Sequence, residues 1–361
     1  MKFYGIDLHH DSMVIAIIDE SNCISSIRIR FHTQAFENFV NSLVITDYVA
    51  VEASTNTFWF YGLIKDKVAE CYVVNTWKFV DIVKGNKKTD KIDAKKLVKK
   101  LRYRVLCDGD EDDLPTVFVP IPEVQWLRSL FSTYNMLKKE KNMIVNRIYS
   151  LLIQYGYNFS KSDLFNKKLK NSILDLDLPE PISFQLRLLY NQHEFLENQF
   201  IKLKNKILLE GRIFEKEIDK LISMKGISVF IAIAIMTDIA DIERFSSSKK
   251  FTSYLRTAPK ISASNNSVKI GCINRQSRKL SLTLICQSLI HVYKSSDYLY
   301  DFYQSKRKGK KAGEARIAVA RKAFTMIYQM LKNDKYYKWM DHIGYKRKTK
   351  EYNKFLEKRA A

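Results

Sequence analysis

The chain has 361 residues, of which 46% are hydrophobic and 28% charged, so it is long enough to bury a core and does not have the composition of a disordered protein. Lysine and arginine number 61 against 39 acidic residues, and the resulting net charge of +22 predicts a polyanionic partner such as nucleic acid. The five cysteines are scattered without a C-x-x-C pair, which argues against a zinc ribbon or a disulfide framework and favours a reducing, cytoplasmic location. The N-terminal segment carries an aspartate where a secretory signal needs an apolar core, so no such signal is predicted. The longest apolar stretch, 227–236, is too short to predict a membrane span.

The first hundred residues alternate short apolar strands with helices. Strand patterns cover residues 2–8, 13–19, 23–31, 47–53 and 71–76, and helical patterns cover 33–44, 57–69 and 89–104. Three consecutive strands with tight connections, followed by alternating helices and strands, match the layout of a ribonuclease-H-like α/β fold. We therefore predict such a domain over residues 1–104.

The remainder of the chain is predicted to be all-α. Residues 105–123 are acidic and rich in proline, which predicts a linker or an exposed loop. Long amphipathic helices over 124–155 and 183–222 predict a helical, coiled-coil region over 124–220, either as a dimer interface or as a spacer within one subunit. Residues 221–335 are mainly helical with a Ser/Asn-rich loop at 262–267, and residues 336–361 form a basic C-terminal tail.

Most of the positive charge lies in two blocks. Residues 84–104 carry 10 basic and 2 acidic side chains, and residues 301–361 carry 18 basic and 6 acidic side chains. A single charge run is usually a solvated helix face, but two blocks that hold most of the excess favour a nucleic-acid surface. The predicted contact residues are Lys87, Lys88, Lys91, Lys95, Arg275, Arg278, Lys306, Arg307, Lys308, Lys310, Lys311, Arg321 and Lys322.

Four carboxylates are the candidate catalytic residues. Asp7 ends the first strand pattern, Glu52 ends the VAVE pattern, and Asp90 and Asp93 lie in KKTDKIDAKKLVKKL. On a helical wheel of about 100° per residue, both aspartates fall on the apolar side together with Leu97. Buried carboxylates need a neutralising partner, and oxygen ligands suit magnesium. The four residues therefore predict the metal site of a nuclease, recombinase or polynucleotidyl transferase.

Other interpretations of these residues are weaker. Acidic residues in a first helical turn also complement the helix dipole, but this does not explain why both fall on the apolar face. Proofreading exonucleases carry an Asp-x-Glu pair on one strand, whereas Glu52 lies 45 residues after Asp7. His9 and His10 have no ligand spacing to another histidine or cysteine, so we predict that both are surface or turn residues.

Several motifs resemble those of a known family. They are GID at 5–7, VEAS at 51–54, KTDKIDAKKL at 88–97, NRIYSLLIQYG at 146–156, the segment 221–259, and AGEARIAVARKAFTMIYQMLK at 312–332. Together they resemble the DEDD transposases of the insertion-sequence-110 family, which are bridge-RNA-guided recombinases. The resemblance covers residues 1–335 and leaves the basic tail outside it.

The resemblance implies a two-part enzyme. A RuvC-like N-terminal domain would hold Mg²⁺, with Mn²⁺ as the alternative ion, on the four carboxylates. A transposase domain over residues 221–335 would supply a serine nucleophile, and Ser264 takes that role because its offset from Pro259 matches the family pattern. Asparagines replace the two glycines that follow this serine in the family, which leaves Ser262 and Ser267 as alternatives.

The activity implied by the resemblance is that of an insertion-sequence transposase. It would cut and rejoin donor and target DNA through a phosphoserine intermediate, guided by an element-encoded bridge RNA, as a dimer and as a tetramer on DNA. The alternatives are a DNA invertase of the pilin-inversion type without guide RNA, a non-catalytic nucleic-acid-binding remnant, and a junction-resolving nuclease. The intact carboxylate quartet argues against the remnant, and the C-terminal half would have no purpose in the simple nuclease.

Overall fold

The computed structural model describes residues 1–19, 24–76, 78–79, 89–107, 114–264, 267–273, 277–309 and 311–360, without the side chains of 260–264, 267–272 and 360. The chain divides into two compact units, Met1–Pro120 and Ile121–Ala361, which are described separately. Among the described residues, no helix combines the length and the apolar character needed to cross a membrane.

The first unit is a mixed α/β structure, as predicted. Its described strands are β1 (Phe3–Leu8), β2 (Ser12–Ile18), β3 (Ile24–Arg30), β4 (Tyr48–Glu52) and β5 (Glu70–Val74), and its described helices are α1 (Gln34–Ser42), α2 (Thr57–Ile64) and α3 (Asp90–Leu106). The strands form one sheet in the order β3-β2-β1-β4-β5. β2 is antiparallel to β1 and β3, whereas β4 is parallel to both β1 and β5.

The side chains of β1 alternate between two cores on opposite faces of the sheet. Its even-numbered residues join the core beneath α1 and α2, while Phe3 packs in the core beneath α3. Gly5 and Asp7 share the face of Phe3 because side chains alternate along a strand. A Cβ atom at Gly5 would collide with the carbonyl oxygen of Ala94 and would lie 2.5 Å from the amide nitrogen of Val98. The backbone of α3 therefore lies directly against β1, which brings the start of the helix beside the end of the strand.

The segment predicted to be a linker, 105–123, is partly packed into the first unit. α3 continues to Leu106, the side chain of Leu114 is fully buried, and Thr116 forms an isolated antiparallel bridge with Val74 of β5. The acidic and proline-rich composition pointed to exposure, but the apolar residues of this segment cover the edge of the sheet.

The second unit is mostly helical, as predicted. Its described helices are α4 (Pro122–Gln154), α5 (Lys167–Leu174), α6 (Glu180–Glu210), α7 (Glu215–Ile222), α8 (Val229–Ile239), α9 (Ser248–Tyr254), α10 (Leu280–Gln287), α11 (Leu289–Tyr293), α12 (Asp297–Gly309), α13 (Ala312–Lys332) and α14 (His342–Ala360), with a 3-10 turn at Gly211–Phe214. α4 begins at Pro122, whose fixed φ suits the first helical position. α8 begins after Ser228, whose Oγ accepts a hydrogen bond from the amide of Ile231 at 3.3 Å.

The two longest helices form an antiparallel hairpin. The start of α4 and the end of α6 share one hydrophobic core, and the end of α4 packs with the start of α6 in another. The rings of Tyr134 and Phe200 lie 4.6 Å apart between their centroids, and Lys141 forms an ion pair with Glu197. The two predicted long helices thus pack on each other within one chain, and α8, which is almost wholly buried, lies at the centre of the larger core.

The predicted loop at 262–267 is wrong, because most of it is β-structure. Strands β6 (Pro259–Ser264) and β7 (Ser267–Ile273) form an antiparallel ribbon in which Ser262 pairs with Lys269 and Ser264 pairs with Ser267. Apolar residues alternate with polar residues along both segments, which is the pattern of a strand. The high content of serine and asparagine obscured this alternation.

The basic tail at 336–361 is packed onto the second unit. Tyr337 and Tyr352 are buried in its large core, and the hydroxyl of Tyr345 donates to Asp219 at 2.6 Å. The ammonium group of Lys348 donates to three carbonyl oxygens at the end of α7 and just beyond it. Burial lowers the pKa of Lys348 to about 8. The tail is therefore an added helix that covers the end of α7.

Candidate active site

A row of residues across the sheet leads to the candidate active site. In the strand register, Arg28 pairs with Val14 and Val14 pairs with Asp7. On the other side of β1, Ile6 pairs with Val51, so Asp7 and Glu52 are the next residues of two parallel strands. Because paired residues share a face, this row lies on the side of the sheet that α3 covers.

The first turn of α3 brings Asp90 and Asp93 to the same place. Asp93 is only 6% exposed and lies on the buried face of the helix with Ala94 and Leu97. The side chain of Asp90 is 41% exposed and lies at the edge of that face. The helical-wheel expectation is therefore confirmed for Asp93 and met in part by Asp90, which is the first residue of the helix and is half-buried.

Asp7 interacts with each of the other three carboxylates. Burial raises the pKa of Asp7, and the negative charges of Asp90 and Asp93 raise it further. The neighbouring imidazole of His9 and a side-chain hydrogen bond with Glu52 act in the opposite direction. The structure thus brings together the four acids predicted from the sequence, and their mutual repulsion is the kind that a bound cation relieves.

His9 belongs to this cluster although it lies, as predicted, in the turn between β1 and β2, where its side chain is 33% exposed. Its Nε2 atom is buried, 3.1 Å from Oδ2 of Asp90 and 3.6 Å from Oδ2 of Asp7. Its backbone is fixed on both sides, since its amide donates to the carbonyl of Ser12 at 2.8 Å and its carbonyl accepts from Nδ2 of Asn56 at 2.7 Å. The short connection between β1 and β2 turns His9 inward, while His10 is exposed as expected.

Arg28 is a second residue that the sequence analysis missed. Its exposed guanidinium group forms a hydrogen-bonded ion pair with Oδ2 of Asp90. The ion pair spans 62 positions of the chain, so no local spacing reveals it. It places one positive charge at the exposed edge of an otherwise acidic cluster.

The donor set at the site fits a divalent cation. Asp7, His9 and Asp90 each offer one ligand atom, and these three atoms lie within 4.8 Å of one another. Glu52 and Asp93 add carboxylates beside Asp7. Carboxylate oxygens suit Mg²⁺, and an added imidazole nitrogen also suits Mn²⁺.

The predicted serine nucleophile lies in the second unit. Ser264 is the last residue of β6 and pairs with Ser267, the first residue of β7, while Ser262 lies two positions before Ser264. Alternation places these three positions, and Lys269 opposite Ser262, on the same face of the ribbon. The backbone register therefore places the three candidate serines together and does not indicate which of them is the nucleophile.

The predicted nucleic-acid contacts that the structure describes lie on α3, on α12, on α13 or at its start, and at Arg278. Lys91 and Lys95 lie on α3 beside the acidic cluster. Lys306, Arg307 and Lys308 form the last turn of α12, and Lys311, Arg321 and Lys322 lie at the start of α13 or along it. Lys306 and Lys322 lie over the rings of Phe302 and Tyr298, at 5.2 and 5.0 Å from their centroids. Lys87, Lys88, Arg275 and Lys310 lie outside the described residues.

Arg278 lies exposed near a buried polar cluster at the end of α8. Asp238 accepts hydrogen bonds from the amide and the hydroxyl of Ser281, at 2.9 and 2.7 Å, which ties α8 to α10. Arg128 of α4 donates to the carbonyl oxygens of Thr237 and Asp238. Burial and the nearby positive charge of Arg278 lower the pKa of Arg128 to about 10. The cluster joins α4, α8 and α10 of the second unit. Arg278 adds a positive charge at the surface beside it.

Comparison with known proteins bears on the second unit. A search of curated proteins found no match to the chain. Residues 218–304 match the family model described as transposase of the IS116/IS110/IS902 family. The matched segment begins in α7, includes the β6–β7 ribbon with Ser264, and ends within α12. This part of the chain is therefore similar to a transposase domain, which supports a DNA-recombining enzyme.

Proposed function

We propose that the protein is an insertion-sequence transposase that cuts and rejoins DNA. The observation that carries this proposal is the match of residues 218–304 to the transposase family, because it includes the ribbon with the predicted nucleophile. The first unit adds an independent argument, since it gathers four carboxylates and a histidine in a chain of net charge +22.

The first unit is proposed to be a ribonuclease-H-like, RuvC-like catalytic domain. Three antiparallel strands followed by two parallel strands, in the order β3-β2-β1-β4-β5, support this assignment. Asp7, Glu52, Asp90 and Asp93 would hold the cation, with Mg²⁺ as the expected ion. When bound, such an ion supplies Lewis-acid stabilisation of the negative charge on a phosphodiester.

Ser264 is proposed to be the nucleophile of strand exchange. Its Oγ would attack a DNA phosphorus atom, forming an O–P bond to the protein as the bond to one deoxyribose oxygen breaks. The serine loses its proton, and the leaving oxygen gains one. A second strand end then reverses these steps and restores the free serine. The positive charge of Lys269, which pairs with Ser262 in the ribbon, would offset the phosphate charge.

Replacement of Ser264 tests this assignment. We expect Ser264→Ala to abolish the covalent protein–DNA adduct that wild-type protein forms with end-labelled DNA of its own element, because the acceptor oxygen is gone. The adduct is measured as labelled protein that survives denaturation with detergent. Ser262→Ala and Ser267→Ala are matched controls on the same ribbon face, and both should keep the adduct. Loss of the adduct in one of these controls, with Ser264→Ala still active, would move the nucleophile to that residue.

Guidance by RNA and assembly into oligomers complete the proposal. Met143 of α4 and Phe195 of α6 are 69% and 60% exposed, and they lie level on the hairpin because the ion pair between Lys141 and Glu197 lies two residues away on each helix. Such exposed apolar side chains favour self-association along the hairpin.

Expression of the gene with its native flanking DNA, followed by purification of the protein and sequencing of the RNA bound to it, tests both points. We expect one abundant RNA that maps to a flank and survives moderate salt, in a complex whose mass by light scattering is that of a dimer or larger. Bulk cellular RNA that moderate salt removes would indicate nonspecific binding by charge. It would favour the alternative of a DNA invertase that uses no guide RNA. A monomer would contradict the oligomer assignment. The double variant Met143→Glu, Phe195→Glu should reduce the protein mass of the complex to that of one chain. Ile343→Glu, at a residue 85% exposed on α14, should leave this mass unchanged.

A further inference from the structure

The imidazole of His9 lies between the carboxylates of Asp7 and Asp90. Its Nε2 atom is buried and lies 3.1 and 3.6 Å from carboxylate oxygens of Asp90 and Asp7, yet it forms no hydrogen bond with either. An N–H group pointing at Asp90 from 3.1 Å would form one. The nitrogen is therefore close to both oxygens without being directed at either.

This arrangement is the one that ligands of a common ion adopt. Two ligand atoms that lie about 2.1 Å from an ion and at right angles to each other are separated by about 3.0 Å. The 3.1 Å distance from Nε2 to Asp90 is close to this value, the 3.6 Å distance to Asp7 is longer, and the three ligand atoms lie within 4.8 Å of one another. The hydrogen bonds that the backbone of His9 makes with Ser12 and Asn56 hold the main chain at this position before any ion arrives.

We propose that His9 is a nitrogen ligand of the divalent cation that Asp7 and Asp90 bind, and that it shifts the preference of the site from Mg²⁺ towards Mn²⁺. Mg²⁺ prefers oxygen ligands, whereas Mn²⁺ accepts imidazole nitrogen more readily. The proposal rests on the metal site of the proposed function and adds a ligand to it.

A competing role for His9 predicts an effect of opposite sign. If His9 served as a protonated counter-ion of the carboxylates, it would repel a metal ion, and its removal would tighten metal binding. Arg28 already supplies a positive charge to Asp90, so the cluster does not depend on His9 for that purpose. The direction of the change in affinity therefore separates the two roles.

Spectroscopy of bound Mn²⁺ provides a test that does not depend on catalysis. We expect electron spin echo modulation from a directly coordinated imidazole nitrogen in the wild-type protein. The modulation should persist in His10→Ala, the matched control at the exposed neighbouring residue, and should disappear in His9→Ala. Titration should show Mn²⁺ binding weakened about tenfold or more in His9→Ala, with a smaller loss for Mg²⁺, so that the ratio of the two affinities falls.

The outcomes separate the ligand proposal from the proposed function. Bound Mn²⁺ without nitrogen modulation, or Mn²⁺ binding that is unchanged or tighter in His9→Ala, would overturn the role of His9 and leave the carboxylate site intact. Failure of the wild-type protein to bind Mn²⁺ at all would overturn the metal site itself. The measurement on wild-type protein needs no substitution, so a folding defect in the variant does not obscure the result.

Discussion

Asp7→Asn is expected to abolish DNA cleavage while making the metal-free protein more stable. The amide keeps the shape of the side chain but removes a negative charge from a cluster in which burial and the charges of Asp90 and Asp93 raise the pKa of Asp7. We expect the cleavage rate to fall by about 10³-fold or more, because a carboxylate ligand is lost. In EDTA, the relief of repulsion should raise the melting temperature by roughly 2–4 °C, equivalent to about 1 kcal/mol.

Asp11→Asn is the matched control. Asp11 is exposed in the connection between β1 and β2, where it accepts a hydrogen bond from the hydroxyl of Ser12 at 3.0 Å. This variant should keep wild-type cleavage and the stabilisation that Mg²⁺ gives to the wild-type protein, whereas Asp7→Asn should lose that stabilisation. Equal activity of Asp7→Asn and wild-type protein would remove Asp7 from the catalytic site.

The positions of the acidic residues could be predicted because they follow regular periodicities. Alternation along β1 and β4 places Asp7 and Glu52 on one face of the sheet, and helical periodicity places Asp93 on the buried side of α3. The period of two along a strand and of 3.6 along a helix determines which residues of one element share a face, so the sequence alone groups these residues. Their catalytic role stays a prediction until the substitutions are made.

The contributions of His9 and Arg28 could not be predicted in the same way. His9 lies in the three-residue connection between β1 and β2, where no periodicity applies, and its backbone is held by hydrogen bonds with Ser12 and Asn56. Arg28 reaches Asp90 because it lies in the same row across the sheet as Val14 and Asp7, on the face that α3 covers. This row depends on the order of the strands in the sheet. Both side chains are placed by tertiary contacts that local sequence patterns do not reveal.

The β6–β7 ribbon was missed for a different reason. The alternation at Ile261, Ala263, Val268 and Ile270 is present in the sequence, so a strand signal existed. Serine and asparagine are common in loops, and their density outweighed the alternation in our interpretation. The three candidate serines therefore lie in paired strands and not in a loop.

Gly5→Ala is expected to damage both the stability of the first unit and its metal site. The added Cβ would collide with the backbone of α3, at the carbonyl oxygen of Ala94 and the amide of Val98, and it would lie 2.9 Å from Cβ of Val98. Backbone atoms cannot rotate away as a flexible side chain can, so the helix must shift. We expect a loss of about 3 kcal/mol in the free energy of unfolding, measured by urea denaturation. Because α3 carries Asp90 and Asp93, its shift should also weaken Mn²⁺ binding.

The matched control is Gly62→Ala on α2, where an added Cβ meets nothing within 4 Å. Alanine is the better helix former, so this substitution should raise the free energy of unfolding by up to about 1 kcal/mol and leave Mn²⁺ affinity unchanged. The same chemical change would then have opposite effects on the two sides of the sheet. Wild-type stability and Mn²⁺ affinity in Gly5→Ala would contradict the direct contact between α3 and β1. If stability falls while affinity per folded molecule is kept, the contact holds the fold together without setting the positions of the acids on α3.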